Sequence, residues 1–256
     1  MLRILVATRD GLHMLDQSGH EAAAQHAGRP VTAVVRDGPQ LWAILDRAQV
    51  WHAPEREWRH VATLEGVAAT CIAMTDAIHV GSSKARLFRL TDGALEPVEA
   101  FDAAEGRDSW HTPWGGPPDT RSISEWGDDV YVNVHVGGIL HTGDNSATWN
   151  PTIDIDADVH QVATADGLVL AAGARGLSTS TDKGVTWSLR TDGLDSRYSR
   201  AVVVCGDRVL VSASEGPRGG RAGVYRANLA SGAFERCRTG LQSGSTRTST
   251  PIAWTR

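Results

Sequence analysis

The sequence predicts an all-β fold, a six-bladed β-propeller of four-stranded antiparallel blades, on three observations. Apolar and polar residues alternate with a period of two along most of the chain, and long segments with helical periodicity are missing. A unit of three apolar strands separated by a Gly/Asp turn and a small-residue loop returns about every 37 to 40 residues, the length of a propeller blade. The 27 glycines and nine tryptophans suit many short strands joined by tight turns.

Five copies of this unit can be placed along the chain, with an insertion at 102–118 between the second and the third. They occupy residues 31–66, 67–101, 120–156, 157–196 and 197–241. A sixth, closing blade combines residues 245–256 with residues 1–29, so that 251–254 supply its inner strand. Pairing the N- and C-terminal strands in this way would remove the open sheet edges of an unclosed array. The whole chain, 1–256, is then a single domain, and six blades are favoured over five or seven.

Charge and composition narrow the classes of partner. The formal net charge is −5, whereas nucleic-acid or anionic-membrane binding calls for a basic excess, so we expect neither partner. The three cysteines, Cys71, Cys205 and Cys237, have no paired spacing that would indicate a disulfide framework or a zinc motif. The N-terminal residues show no basic leader followed by a long apolar stretch, and the expected location is cytoplasmic.

One octapeptide carries a recognisable pattern. Residues 180–187, Ser-Thr-Asp-Lys-Gly-Val-Thr-Trp, fit Ser-x-Asp-x-Gly-x-Thr-Trp without a departure, and residues 142–149 repeat it with Ser146 in place of Gly. The Asp carboxylate can accept backbone N–H groups across a tight turn, and Gly permits a positive φ there. These residues resemble the Asp boxes of the BNR/Asp-box propellers, a group that includes sialidases, sortilin-type receptors, xyloglucan hydrolases and photosystem II assembly factors. In that group the box is a structural element of the outer hairpin, which implies a structural role for Asp144 and Asp182.

The resemblance does not extend to the chemistry of a standard sialidase. Those enzymes hold a carboxylate with three arginines and carry an Arg-Ile-Pro motif near the N-terminus, for which Gly28-Arg29-Pro30 is a poor substitute. Of the three tyrosines, only Tyr198 lies in a loop where a nucleophile would be expected. If the protein is an enzyme, we expect a glycoside hydrolase-like enzyme or a lyase, and not a standard sialidase.

Ligands of propellers usually bind around the central channel, where the loops before the inner strands and after the second strands meet. Before inner strands the repeat places Thr32, Thr70, Asp119 with Arg121, Asp158 with His160, and Tyr198 with Arg200. After second strands it places Thr8 with Arg9, Asp46 with Arg47, Ser83 with Lys84, His135, Arg175 and Glu215, so that six cations lie at these positions. Arginine forks bind carboxylates and phosphates through two hydrogen bonds. We therefore predict a small anionic or carbohydrate-like ligand. The alternative is that these arginines are solvated or paired with nearby aspartates.

Two histidines and a glutamate form the predicted catalytic group. His135 follows a second strand, His160 begins an inner strand, and Glu215 lies in register after another second strand. In hydrolase or lyase chemistry, His135 or His160 would be the base and Glu215 the acid. A divalent metal is conceivable, but no short ligand spacing such as His-x-His supports one, so no cofactor is predicted.

The insertion holds Trp110, His111 and Trp114 among prolines and glycines, a composition suited to covering a pocket or plugging a channel. The tryptophans could stack on a sugar face. Two functions thus remain open. The first is a small-molecule site at the channel mouth, and the second is a non-catalytic scaffold that binds a protein partner. A concave pocket with buried polar groups favours the first, and an exposed apolar patch favours the second.

Overall fold

The computed structural model describes residues 4–16, 18–55 and 57–238. Across these residues the strands form six antiparallel sheets, in each of which every strand pairs with the next along the chain. The predicted six-bladed β-propeller is confirmed. By its internal contacts the chain divides into two compact units, one up to Val98 and one from Glu99 onward. Within the described residues, no helix is long and apolar enough to cross a membrane.

The first unit contains three sheets. Their strands are β1 (Ile4–Thr8), β2 (Gly11–Leu15) and β3 (Glu21–Gln25); β4 (Val31–Asp37), β5 (Gln40–Leu45), β6 (Gln49–Ala53) and β7 (Arg59–Thr63); and β8 (Ala69–Met74), β9 (Ile78–Ser82), β10 (Arg86–Thr91) and β11 (Ala94–Pro97). The core of this unit lies between sheets, where Ile44, Val50, Ile72 and Phe88 pack in one cluster. The first sheet has three described strands. Its predicted fourth strand, at 251–254, and the predicted closure lie outside the described residues.

The second unit contains three four-stranded sheets. Their strands are β12 (Thr120–Trp126), β13 (Asp129–Val134), β14 (Gly138–Thr142) and β15 (Asn150–Pro151); β16 (Val159–Ala165), β17 (Leu168–Gly173), β18 (Gly176–Ser180) and β19 (Ser188–Arg190); and β20 (Tyr198–Cys205), β21 (Arg208–Ser214), β22 (Gly223–Asn228) and β23 (Glu235–Arg236). The first strands β12, β16 and β20 contact one another in turn, so they are the inner strands of these blades. All of these strands lie within the predicted blade boundaries.

Polar side chains join neighbouring blades of the second unit. Ser122 Oγ accepts a hydrogen bond from the backbone N–H of Val162 at 2.9 Å. One blade further on, Gln161 Oε1 accepts from the N–H of Val202, also at 2.9 Å. Asn133, fully buried, donates from Nδ2 to the carbonyl oxygen of Val159 at 3.0 Å. These bonds satisfy backbone groups that would otherwise be buried without a partner, and they fix the register between blades.

The octapeptide at 180–187 forms the turn between β18 and β19. Asp182 accepts hydrogen bonds from the Thr186 N–H at 2.9 Å, from Thr186 Oγ1 at 2.6 Å and from Ser180 Oγ at 2.8 Å. These bonds, led by that of the Thr186 hydroxyl, lower the pKa of Asp182 to about 2. Trp187 donates from Nε1 to the carbonyl oxygen of Thr152 in the preceding blade at 2.8 Å. The turn is therefore both a hairpin closure and a contact between blades.

In the second copy, between β14 and β15, the aspartate has the same hydrogen bonds, whereas Nε1 of Trp149 has no hydrogen-bond partner among the described residues. Asp144 accepts from the Thr148 N–H at 3.0 Å, from Thr148 Oγ1 at 2.7 Å and from Thr142 Oγ1 at 2.8 Å. The pKa of Asp144 is lowered to about 2, again mainly by the threonine hydroxyl. Ser146 takes the place of glycine with a φ of 68°, so the left-handed conformation is kept at the substituted position. Both aspartates thus have the structural role that the motif implied.

Helical structure that was not predicted lies at the start of the insertion and just before it. Helix α1 (Glu99–Asp102) and a 3₁₀ turn (Arg107–Ser109) precede the Trp-rich segment. Phe101 of α1 is fully buried against the rings of Trp110 and Trp149, at centroid distances of 6.1 and 5.2 Å. The insertion is therefore anchored in the core of the second unit.

Candidate functional site

The three inner strands of the second unit share one irregularity. Each has a β-bulge near its beginning, between Thr120 and Ser122, between Val159 and Gln161, and between Ser199 and Ala201. In each bulge one residue has no pairing partner on the neighbouring strand. These residues are Arg121, His160 and Arg200, in the order of the three strands. A bulge changes the direction of a side chain relative to the regular pleat. Three predicted site residues therefore occupy equivalent positions on successive inner strands.

Asp158 lies at the centre of the residues around these bulges. His135 Nε2 is 3.3 Å from Asp158 Oδ1, and His160 Nε2 is 3.6 Å from Asp158 Oδ2. The histidines are 4% and 3% exposed, whereas the Asp158 side chain is 30% exposed and gives solvent access to the group. The nearby His135 and, second, His160 hold the pKa of Asp158 well below its ordinary value, although burial alone would raise it. Asp158 is therefore ionised at neutral pH.

The backbone holds Asp158 in an uncommon conformation. Its φ of 45° and ψ of 63° are left-handed, and its N–H donates to the carbonyl oxygen of Ile155, which closes a 3₁₀ turn (Ile155–Ala157). The Asp158 carbonyl oxygen accepts from the N–H of Ala174 at 3.2 Å. Gly173 makes this approach possible, since a Cβ there would lie 3.1 Å from the Asp158 carbonyl oxygen and 2.8 Å from that of Ala157. Such conformations in non-glycine residues are concentrated at functional sites.

A backbone carbonyl fixes the orientation of the His160 ring, and the backbone of His135 is held by a hydrogen bond of its own. His160 Nδ1 lies 2.6 Å from the carbonyl oxygen of Ser199, so Nδ1 carries the proton and donates it. In the neutral ring the lone pair is then on Nε2, which faces Asp158. The N–H of His135 donates to the carbonyl oxygen of Asp119 at 3.0 Å, which joins the loop after β13 to the residue before β12.

Arg121 and Tyr198 lie near the Asp158 carboxylate, and Arg200 lies near both of them. Arg121 is half-buried, and burial lowers its pKa, an effect that the carboxylates of Asp119 and Asp158 offset only in part and that Arg200 increases. Arg200 lies over the Tyr198 ring at 5.1 Å and donates to the carbonyl oxygen of Pro217 at 2.5 Å. Burial, followed by the charge of Asp158, raises the pKa of Tyr198. The Tyr198 ring is 4.6 Å from that of His160.

The two tryptophans of the insertion have different environments. Trp110 is buried, and the guanidinium of Arg107 lies 5.1 Å from its ring, so it is part of the packing. Trp114 is 73% exposed, with its ring 5.4 Å from that of His135. His111 is exposed, and its Nδ1 contacts the carbonyl oxygen of Ser109 at 2.8 Å. Among the aromatic residues of the insertion, Trp114 is thus the one that lies beside His135.

Three further predicted residues are exposed, and no described contact joins them to His135, Asp158 or His160. The Glu215 side chain is exposed and lies 3.7 Å from Nε of Arg221. Arg175 is exposed in the turn between β17 and β18. Arg9 is exposed between β1 and β2, in the first unit. Among the contacts described, none joins Glu215 to His135 or His160, and Asp158 occupies the position beside the histidines.

The repeat placed Asp158 with His160 before an inner strand, but neither a catalytic nor a ligand-binding role was predicted for it. Its position directly before an inner strand, two residues ahead of His160, was the available signal. A separate groove of about 440 Å³ lies in the first unit, where it is lined by residues such as Leu64, Phe88 and Leu95. The predicted site residues do not line this groove.

Comparison with known proteins gives the fold and no closer relationship. Neither a protein-family model nor a curated protein sequence matches the chain. Solved structures do match, and three examples cover different kinds of propeller. The computationally designed Ika8 protein is 10% identical with a TM-score of 0.65, over 98% of this chain and 74% of that one. An ancestral GH74 enzyme is 15% identical with a TM-score of 0.63, over 94% of this chain and 33% of that one. YCF48, in a structure with a D1 peptide, is 9% identical with a TM-score of 0.61, over 91% and 78%.

This chain spans about a third of the length of the GH74 enzyme. At these identities the similarity shows a propeller fold that a glycoside hydrolase and a peptide-bound protein share. Since one fold carries many unrelated functions, the function must be argued from the site itself.

Proposed function

We propose that the second unit binds a small anionic ligand, a molecule with a carboxylate or phosphate group, at the three bulged inner strands. The observation that carries this proposal is the equivalent placement of Arg121, His160 and Arg200 by the same bulge in successive blades. An exposed surface arginine needs no explanation, but these side chains are half-buried or buried. Arg121 and His160 lie near one partly exposed carboxylate, that of Asp158, and Arg200 lies near Arg121.

The hydrogen-bonding capacity of the arginines supports an anion. Arg121 makes no described hydrogen bond or ion pair, although its guanidinium is partly desolvated. Nε of Arg200 is buried and has no hydrogen-bond partner within the described part of the chain. Buried donors without acceptors are rare in proteins and costly. A carboxylate or phosphate would accept from both guanidinium groups.

Trp114 favours a sugar acid within this ligand class. Its indole is largely exposed and borders His135, and an exposed aromatic ring can cover the apolar face of a pyranose. A sugar acid presents such a face together with a carboxylate, so it would use the ring and the arginines together.

The proposal includes membership of the BNR/Asp-box group. The two hairpin turns have equivalent sets of hydrogen bonds, from the Ser/Thr at the first position and from the Thr four residues after the Asp. Their aspartates lie in the outer hairpins of their blades, away from the inner-strand bulges. The proposed function is binding. If chemistry follows, His135 or His160 would supply the base, and Glu215 would have to leave Arg221 to act as the acid.

The test is the stabilisation of metal-free protein by small anions. We expect glucuronate or a sugar phosphate to raise the midpoint of thermal unfolding, by an amount that corresponds to about 2.7 kcal/mol at a hundred times the dissociation constant. The neutral sugar should give no such rise. Arg121→Met keeps most of the apolar stem and removes the charge, so it should abolish the effect.

Arg226→Met is the matched control. Arg226 is an exposed arginine on β22 whose ion pair with Glu235 is 3.4 Å long, and its loss should leave anion stabilisation intact. Equal stabilisation of wild type and Arg121→Met would contradict the site, as would equal effects of the neutral and acidic sugars. If no anion stabilises the protein, the result would favour the scaffold alternative, in which a protein partner is bound.

A further inference from the structure

We infer that His135, Asp158 and His160 form a binding site for a divalent transition-metal ion, with Zn²⁺ as the representative. Each residue offers one ligand atom, and these atoms all lie within 4.8 Å of one another. His135 Nε2 lies 3.3 Å from Oδ1 of Asp158, and His160 Nε2 lies 3.6 Å from Oδ2. Each distance is close to the spacing between two ligands of a tetrahedral zinc ion, about 3.3 Å for bonds of about 2.0 to 2.1 Å, although the two distances involve different oxygens of the carboxylate.

The arrangement of lone pairs indicates a cation. His160 donates from Nδ1 to the Ser199 carbonyl oxygen, so its other nitrogen, Nε2, has a lone pair in the neutral ring. Nε2 is buried, has no hydrogen-bond partner within the described residues, and faces the carboxylate of Asp158. Two electron-rich atoms 3.6 Å apart repel each other unless a proton or a metal ion lies between them. Oδ1 of Asp158 is likewise buried without a hydrogen-bond partner.

The surroundings of His160 are those of a metal ligand. Ligating histidines usually donate their second ring N–H to a carbonyl or carboxylate, which fixes the tautomer and the direction of the lone pair, and the Ser199 carbonyl takes this part here. His160 is also packed against the Tyr198 ring, so it has little freedom to turn away. A site with these features is already shaped before the ion binds.

The donor set selects the kind of metal. Two imidazole nitrogens and one carboxylate suit Zn²⁺, Co²⁺, Ni²⁺ or Cu²⁺, whereas Ca²⁺ and Mg²⁺ prefer oxygen ligands throughout. Three protein ligands leave a tetrahedral ion one open position, for water or for a ligand. Arg121 and Arg200 would repel the ion, and a bound anion would reduce this repulsion. The metal site does not depend on the proposed anion binding.

The experiment is a zinc titration of tag-free, metal-free protein, without added organic anions, by calorimetry and by metal analysis after gel filtration. We expect one Zn²⁺ per chain and no competition from Ca²⁺ or Mg²⁺. Co²⁺ should give the visible absorption of a low-symmetry site with nitrogen and oxygen ligands. Asp158→Asn, which keeps the shape of the side chain, and His160→Gln should each weaken zinc binding by more than about 100-fold. Loss of a residue that only hydrogen-bonds a metal ligand weakens binding by about 10- to 100-fold, and loss of a ligand itself should weaken it more.

His111→Gln is the matched control, because His111 is an exposed histidine of the same unit outside the cluster. It should bind zinc as wild type does. The inference is overturned if wild type binds no stoichiometric ion, if Asp158→Asn and His160→Gln both bind as tightly as wild type, or if His111→Gln abolishes binding. Since anion stabilisation is measured without metal and zinc binding without anion, each proposal can fail alone.

Discussion

At the scale of single residues, the packing of Gly193 leaves no room for a side chain. Gly193 has a φ of 80°, and a Cβ there would overlap the carbonyl oxygen of Phe234 and lie 2.8 Å from its nitrogen. Phe234 cannot retreat easily, because its ring is buried and its N–H donates to the carbonyl oxygen of Asp192 at 2.8 Å. We expect Gly193→Ala to lower the free energy of unfolding by about 3 kcal/mol or more, as measured by urea unfolding.

Gly232→Ala separates the cost of the left-handed backbone conformation from the cost of the overlap with Phe234. Gly232 also has a positive φ, 94°, but a Cβ there would meet no atom within 4 Å. It should therefore show only the cost of the left-handed conformation, about 1 to 2 kcal/mol. Equal losses in the two variants would mean that the contact with Phe234 carries no energy.

The sequence predicted which residues begin the inner strands, but it did not predict what they contact. Because the repeat gives the register, Arg121, His160 and Arg200 could be assigned to equivalent positions. Asp158 received no role, since its contacts depend on a left-handed conformation and on a glycine fifteen residues later in the chain. Glu215 was expected beside the histidines, and its pairing with Arg221 depends on a local turn that periodicity does not show.

At the scale of elements, the inner strands are held in register by side chains as well as by packing. Gln161 is 9% exposed, and its Oε1 is the acceptor for the backbone N–H of Val202 in the next blade. In Gln161→Leu the side chain keeps a similar volume, but the Val202 N–H loses its acceptor. An unsatisfied buried donor costs about 1 to 3 kcal/mol.

We expect this loss in the free energy of unfolding of Gln161→Leu, together with faster hydrogen exchange at Val202. If the exchange rate at Val202 is unchanged, the bond does not protect this amide. The strands themselves were predictable from alternation and turn residues. The bonds between blades were not, because the alternation within a strand does not give the offset between one blade and the next.

At the scale of the whole molecule, the blade count followed from the period of the repeat, and the position of the insertion followed from the one break in that period. The helix α1 directly before the insertion was not predicted, because it is four residues long and gives no periodic signal. The predicted closing strand at 251–254 stays a prediction. The repeat period does not predict how carboxyl groups with lowered pKa values are distributed between the two units.

That distribution predicts how the molecule responds to acid. Asp144 and Asp182, both in the second unit, have pKa values lowered to about 2 by hydrogen bonds. In the same unit, burial would raise the pKa of Asp129, but hydrogen bonds with Lys183 and His141 outweigh it and lower the pKa. A carboxyl with a depressed pKa in the folded state stabilises the fold above its unfolded pKa, about 3.9, and this contribution is lost as the pH falls towards the folded value.

We therefore expect the urea midpoint of wild type to fall between about pH 5 and pH 2, and to fall less steeply in the double variant Asp144→Asn/Asp182→Asn. Pepsin at pH 3 should cut wild type first within residues 120–190. Asp207→Asn is the control, because the Asp207 side chain is 77% exposed and its contact with Arg208 is 3.7 Å long, so its pH profile should match that of wild type. A double variant with the same profile as wild type would show that the turn aspartates do not couple folding to pH. First cleavage before residue 98 would show that acid acts on the other unit.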